Sequence, residues 1–373
     1  MKFSVKKEEI LPKLQFVNSI VPLRNPLQIL TNILFEIDGD ENILKLASTD
    51  LEVSAVTEVD CDIEKGGNIA VPSKKVTEII RSLPDEEIFF ETKDKTLHIK
   101  CGHIDFDILY TGTEDFPEIP ERDWEESFII DADLFSNMVE KTSFAVSEQV
   151  GRPAFSGVLW EINSDSQIMV ATDGKRLSKF KTNLSLQAQN TKMIIPIKGL
   201  DLVRRIISEE KQLSILPEEN VISFKYGSYK IFSRLIEANY PDYDAVIPYD
   251  NSKIVKINPQ DFKKAVQRIS LLASEDTLKV KLMFLDGKLI IHCEDIETGQ
   301  AEEILKYEGE IDDFKVGFNY KYLIEILQII DSELVLIKFE NSLDPALFYN
   351  IDEDGNVEEN MLFLLMPLRL SSD

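Results

Sequence analysis

The sequence predicts an α+β protein built from three copies of one unit, and three observations predict it. A short alternating strand followed by an amphipathic helix opens at Phe3, at Phe128 and at Val255. The same strand–helix pair recurs halfway through each copy: NIAVPSKKVTEIIRSL, then KMIIPIKGLDLVRRII, then FKVGFNYKYLIEILQII. Each copy closes on a bulky residue and a proline, Phe116-Pro117, Tyr240-Pro241 and Met366-Pro367. Internal duplication of this kind outranks local propensity as a guide to architecture.

Each element follows from its own pattern. In the first helix Ile10, Leu11, Leu14 and Val17 recur at helical spacing, as do Leu134, Phe135, Met138 and Val139 in the second copy. Phe262, Ala265, Val266 and Ile269 repeat that face in the third. The mid-copy helices place Val76, Ile79, Ile80 and Leu83, then Leu202, Val203, Ile206 and Ile207, toward a core. The remaining segments, such as EIFFETKDKTLHIKCGHIDFDILY, alternate at period two between turn residues and read as antiparallel strands. Each copy is thus strand–helix–three strands, performed twice. Polar linkers at 121–127 and 249–253 set the expected domains at 1–121, 127–249 and 253–373.

Composition is that of an ordinary soluble chain, with 43% hydrophobic and 29% charged residues. No apolar run reaches a membrane span, and the N-terminus carries acids without an apolar signal core, so no membrane association and a cytoplasmic location are expected. Cys61, Cys101 and Cys293 lie far apart, and His98, His103 and His292 sit in strand-like segments. Neither a disulfide framework, a metal site nor a nucleophile–histidine constellation emerges, so no cofactor is expected and catalysis is not. Asp352-Glu353-Asp354-Gly355 has its glycine at the wrong offset for a calcium loop and reads as a solvated turn.

The net charge of −26 speaks against an ordinary nucleic-acid binder. It is unevenly spread, however. The six predicted helices (7–21, 73–83, 131–146, 197–208, 258–274, 319–330) sum to +4, leaving −30 elsewhere. A mildly basic helical face could meet phosphates without reading bases, while the acidic remainder repels DNA.

The stretch ATDGKRLSKF puts Gly174, Lys175 and Arg176 in a row. A phosphate-binding loop is excluded, because Met169 and Arg176 stand where such a loop needs Gly and Ser or Thr. Asp173-Gly174 instead predicts a type I′ hairpin turn.

TDGKRL, RPAFSGVLWE, NYPDYDAVIP and MPLRL, set in three repeats, resemble the bacterial DNA sliding clamp family, the β subunit of DNA polymerase III, along the whole chain. The resemblance implies a non-catalytic processivity factor: a head-to-tail, ring-shaped homodimer that encircles duplex DNA and tethers the polymerase. Simple geometry agrees with two copies. Helices packed about 8–10 Å apart close six into a circle only about 15–19 Å across at their axes. Twelve leave roughly 21–28 Å inside, and a duplex with grooves each roughly 8 Å deep needs on the order of 20 Å.

By resemblance, Arg24, Lys74 and Gln149 meet DNA, without sequence preference. Pro153 and Ala154 depart from the aromatic residues of some relatives and are not carried over. The dimer contact would use Phe106 and Ile108 on one side and Leu271 and Leu272 on the other. A cleft for short peptides from the polymerase III α subunit, the clamp loader, other polymerases and repair proteins would be lined by Arg152, Phe155, Thr172, Gly174, Lys175, Arg176, Leu177, Pro241 and Val246. From the third copy it would take Asn319, Tyr322, Leu343, Pro345, Leu364, Met366, Pro367, Leu368 and Arg369, with Ser371–Asp373 brushing its rim. Leu177, Val246, Leu364 and Met366 would form an apolar pocket, and Arg152, Arg176 and Arg369 would orient peptide carbonyls or acids. The competing readings are an acidic hydrolase, which lacks any catalytic constellation, and a peptide-binding scaffold that never touches DNA.

Overall fold

The structure is a computed structural model that describes every residue except 38–41, 148, 150, 184–189, 275, 296, 312 and 371–373. The C-terminal Ser371–Asp373 extension expected near the cleft therefore lies outside the described residues.

Six α-helices form where the apolar periodicity places them: α1 Lys7–Asn18, α2 Ser73–Ser82, α3 Ala132–Ser143, α4 Ile197–Ile206, α5 Pro259–Ile269 and α6 Tyr320–Ile329. Their ends have local causes. Asn258 caps α5 by accepting from the amides of Gln260 and Asp261, with Pro259 at the first helical position. Asn319 caps α6 through the Lys321 amide. The core faces are buried as expected; Leu11, Leu134, Ile79 and Ile207 sit at the margin, half-buried.

The strand pairing adds what periodicity could not supply. Within each copy the two halves exchange their opening strands. Lys2–Lys6 pairs with Glu87–Lys93 from the second half, and Gly67–Pro72 pairs with Asn32–Ile37 from the first. Phe128–Asp131 with Gln212–Pro217, and Thr191–Pro196 with Gly157–Ile162, repeat the exchange in the second copy. The third repeats it through Lys253–Ile257 with Val335–Phe339, and Phe314–Asn319 with Lys279–Leu285. A half-copy is therefore no folding unit by itself.

The chain packs as two compact units, residues 1–136 with 198–235, and residues 137–197 with 236–373, so the halves of the second repeat belong to different units. The first unit holds a five-stranded and an eight-stranded sheet. In the latter, Tyr229–Arg234 of the second repeat pairs with Val53–Asp60 of the first, setting Tyr229 opposite Thr57 and Phe232 opposite Ser54. The second unit holds a nine-stranded and a four-stranded sheet. There Met361–Leu365 pairs with Arg176–Asn183, with Leu177 opposite Leu364. Repeat boundaries are thus crossed by backbone hydrogen bonds, not by side-chain packing alone.

Lysines that the charge count assigned to the helical surface act as internal ties. Lys7 donates to the Leu83 carbonyl and meets Asp85 at 3.1 Å. Lys141 is buried, donating to the Ile329 carbonyl at the end of α6 (2.6 Å) and to Asp331 (2.7 Å). Lys198 reaches the Ile20 carbonyl past α1, and Asp50. Lys13 stacks over the Tyr229 ring. The helix sum of +4 therefore overstates the basic surface, because these ammonium groups are already engaged.

Candidate functional site

The turn in the opening motif is built around Asp173. Its carboxylate accepts from the backbone amides of Lys175 (2.8 Å) and Arg176 (3.0 Å) and from Arg176 Nε (3.2 Å). Thr172 Oγ1 donates to the Arg176 carbonyl and accepts from the Gly174 amide. Thr172 stands opposite Leu177 across four residues, and only Gly174 among them has a positive φ, of 84°. The two-residue type I′ turn is thus corrected to a longer side-chain-braced one: the aspartate holds the amides that a tight turn would leave free.

The same brace occurs in the other repeats. Asp50 accepts from the Glu52 and Val53 amides while Thr49 bonds Leu51 and Val53. Asp295 accepts from Glu297 and Thr298. At Gly174's place the first repeat carries Leu51, with φ of 79°.

The proposed cleft residues all lie in the second unit. Leu177 and Leu364 are buried in a cluster with Leu159, Val170, Tyr243, Ile247 and Leu347 on one face of the nine-stranded sheet. Around it stand apolar side chains left in solvent: Val246 is 56% exposed, Leu343 63% and Met366 41%. Met366 is fixed by its amide, which donates to the Lys175 carbonyl at 2.8 Å; the Lys175 side chain is exposed. Leu368 bonds Gly317 by its amide and Pro345 accepts from Asn251 at 2.9 Å, so the backbones around Pro367 and Leu343 are anchored. Arg152, exposed, has its guanidinium carbon 5.8 Å from the Phe155 ring centroid, and Phe155 meets Tyr240 edge-on. Pro241 and Arg369 are exposed.

Arg176 departs from its expected part. It is 8% exposed, lies over the rings of Tyr322 (4.4 Å) and Phe144 (5.4 Å), and pairs with Asp173 and Glu325. Its charge braces the turn against α6 instead of waiting for a ligand, which leaves Arg152, Lys175 and Arg369 as the exposed cations among the cleft residues. Asn319 likewise acts first as the α6 cap. Tyr322 and Glu325 are three residues apart on α6, a same-face spacing that would have paired them with a cation in the sequence.

Sequence reasoning also missed what carries Val246. Its short 3-10 turn, Asp244–Val246, is held by Lys179, which meets Asp244 at 2.6 Å and the Tyr249 hydroxyl at 3.2 Å. Burial would raise the Asp244 pKa, but bonds from Lys179 and Tyr249 outweigh it and hold the carboxyl below its usual range. Tyr243 donates to Glu161 at 2.8 Å from a buried site, and burial together with that carboxylate pushes its hydroxyl pKa far up. These long-range partners have no sequence signature.

A cavity of about 800 Å³ lies elsewhere in the second unit, among Lys141, Phe180, Asp331 and Asp352, and includes none of the cleft residues. Asp352 there accepts from the Asp354 and Asn356 amides, so the acidic loop is a braced turn, and no metal cluster occurs among the described residues. The three cysteines are buried thiols; burial raises Cys61 and Cys293 to about 11. No described helix is long and apolar enough to cross a membrane.

The residues expected at DNA are exposed, each in its own setting. Arg24 follows α1 in a loop beside the bare Leu23, and Gln149 has its amide 3.2 Å from Ser147 Oγ. Lys74 stands on α2, 4.0 Å from Glu78 one turn on. At the expected dimer contact, Leu271 is 83% exposed and Leu272, Phe106 and Ile108 are half-buried. Ordinary core packing is ruled out for Leu271 in a single copy.

Threefold duplication, exchanged strands and sheets crossing the repeat boundaries define a three-domain clamp fold. Comparison with known proteins gives the family. The N-terminal, central and C-terminal domain profiles of the DNA polymerase III beta subunit match residues 1–120, 129–242 and 244–367. The beta sliding clamp of Pseudomonas aeruginosa is 30% identical, covering 99% of this chain and all of its own length. That of Chlamydia muridarum is 29% identical over the full length of both. A crystal structure of a DnaN sliding clamp from P. aeruginosa bound to griselimycin superposes with a TM-score of 0.92 at 30% identity, over 99% of this chain and 100% of that one. Caulobacter crescentus pol III beta gives 0.90 at 28%, with the same coverage. The chain belongs to the DNA polymerase III beta subunit family and is a DNA sliding clamp of that polymerase.

Proposed function

We propose that two copies join head to tail into a ring around duplex DNA and act without catalysis of their own, raising the polymerase's effective concentration at the primer end. The observation that carries this is a pair of unfilled sheet edges. Two sheets continue across a repeat boundary inside the chain; the other two stop. The five-stranded sheet ends at Ile104–Leu109, the counterpart of Tyr229–Arg234, and the four-stranded sheet ends at Gly299–Lys306, the counterpart of Val53–Asp60. Neither edge has a further partner strand among the described residues, and a second copy offers each the other. Exposed Leu271 and half-buried Phe106 and Ile108 at those ends fit the same contact.

DNA is held by enclosure and by phosphate contacts from Arg24, Lys74 and Gln149, without base readout. The cleft around Leu177, Leu364, Val246, Leu343 and Met366 takes apolar side chains of short peptides from the polymerase III α subunit, the clamp loader and other polymerases and repair proteins, with Arg152 and Arg369 at its rim. A modest peptide affinity suffices, because tethering makes rebinding intramolecular. The domain limits 1–121, 127–249 and 253–373 and a cytoplasmic location belong to this reading.

The test is retention. Loaded by its ATP-driven loader and washed in high salt, the protein should remain on a nicked circle and run off the same DNA made linear. Equal loss from both would identify a surface binder released by competing counterions and would overturn the ring.

A further inference from the structure

We infer that the junction between copies is weakened by a like-charged pair, Asp105 against Glu302, so that the ring tightens as salt rises. This rests on the ring reading above and on a register the chain itself prescribes.

Both internal junctions use one alignment. Ser54, Leu177 and Gln300 match by strand pairing, each lying opposite the residue just before the turn's aspartate, Thr49, Thr172 and Glu294, although Gln300 follows its aspartate by five residues and the other two by four. On the other side, Gly102 and Gly227 form the same turn, both at φ of 55°, before Ile104 and Tyr229. Inside the chain Ile231 faces Ala55, Lys230 faces Val56 and Phe232 faces Ser54. Carried to the two bare edges, this register sets Phe106 opposite Ala301, Asp105 opposite Glu302 and Asp107 opposite Gln300. The faces agree with the pleat. Phe106 pairs with Ile99 and Ala301 with Cys293, both on the core side, while Asp105 pairs with Lys100 and Glu302 with His292 on the outer side.

The outer row across the junction then reads Lys100, Asp105, Glu302, His292. Lys281, opposite His292, extends it. Each carboxylate already has a cationic or imidazole neighbour in its own copy: Asp105 also meets His98 Nε2 at 3.2 Å, and the same ring contacts Asp107. Docking adds no new cation at nearest-neighbour distance. What it adds is one carboxylate directly opposite another, a destabilising pair in an antiparallel ladder. A closed dimer contains that pair twice. The apolar contact through Phe106 and Leu271 holds the ring against it, and mobile salt relieves the repulsion.

Sedimentation equilibrium of the full-length protein at about 0.02 M and about 0.5 M sodium chloride, where screening differs severalfold, tests this. The wild-type dimer should tighten with salt. At low salt Asp105→Arg should lower the dissociation constant on the order of tenfold and reverse the salt trend. Glu302→Gln should move it in the same direction, as a second route if Asp105→Arg folds poorly by circular dichroism. Asp107→Arg, facing neutral Gln300, should act less than Asp105→Arg, which checks the register. Reversing both charges, Asp105→Arg with Glu302→Arg, should restore the wild-type salt trend. A wild-type dimer that loosens with salt, or an Asp107→Arg effect as large as that of Asp105→Arg, overturns the charged pair and leaves the ring standing. A monomer at every salt and in every variant sinks the ring and this proposal together.

Discussion

Gly174 and Leu51 occupy one turn position, and they differ in how well they suit it. A positive φ costs a side-chain-bearing residue roughly 1–2 kcal/mol that glycine avoids. Gly174→Ala should therefore destabilise the protein by about 1 kcal/mol in urea unfolding. Its added Cβ would also lie 3.1 Å from Arg152 Nη1, so peptide affinity should fall beyond the stability change. Leu51→Gly should do the reverse, stabilising by up to about 1 kcal/mol once the greater freedom of glycine in the unfolded chain is subtracted. A loss of stability there would mean that the Leu51 side chain contributes contacts worth more than its strain. The Asp-Gly pair located this turn correctly in the sequence. Its geometry was not legible, because the deciding bonds come from the carboxylate of Asp173, which pattern reading treats as a turn former and not as a brace.

Helices were legible as elements because their apolar faces repeat three times, and each observed α-helix falls within its expected window. Strand exchange between half-copies, and Lys141 as an anchor rather than a surface charge, were not: both depend on partners far away in the chain. Lys141 joins the last turn of α3 to the carbonyl end of α6, where a cation is favoured by the helix dipole. Lys141→Met should cost about 1–3 kcal/mol, chiefly from the Ile329 carbonyl left without its donor. Burial would raise the Asp331 pKa, but hydrogen bonding and charge from Lys141, with help from Asn350, hold it below the ordinary value. A depressed carboxyl stabilises the fold above its unfolded pKa of about 3.9 and ceases to do so as pH falls through the lower folded value. The gap in urea midpoint between wild type and Lys141→Met should thus be full at neutral pH and narrow below pH of about 4. A gap unchanged in acid would assign the whole effect to the carbonyl.

At the scale of the molecule, the same strand pairing is made twice within the chain, while Ile104–Leu109 and Gly299–Lys306, at the ends of the other two sheets, carry no further strand among the described residues. Backbone pairing supplies direction and register there, but an edge strand alone binds weakly and without discrimination; apolar area must supply most of the free energy. The largest exposed apolar side chain at those ends is Leu271, bare in a single copy, beside half-buried Leu272 in the short turn after α5. Removing both should therefore break association while leaving the fold intact, since little of Leu271 contributes to the core. Leu271→Ala with Leu272→Ala is expected to sediment as a monomer at concentrations where wild type is a dimer, with an unchanged far-ultraviolet circular dichroism spectrum. Two partially solvated leucines, recurring at two junctions in the ring, account for on the order of 4–8 kcal/mol of lost burial, enough to shift dissociation by several powers of ten. An unchanged dimer would place the contact elsewhere, and with it the argument that the open edges of one copy are filled by the next.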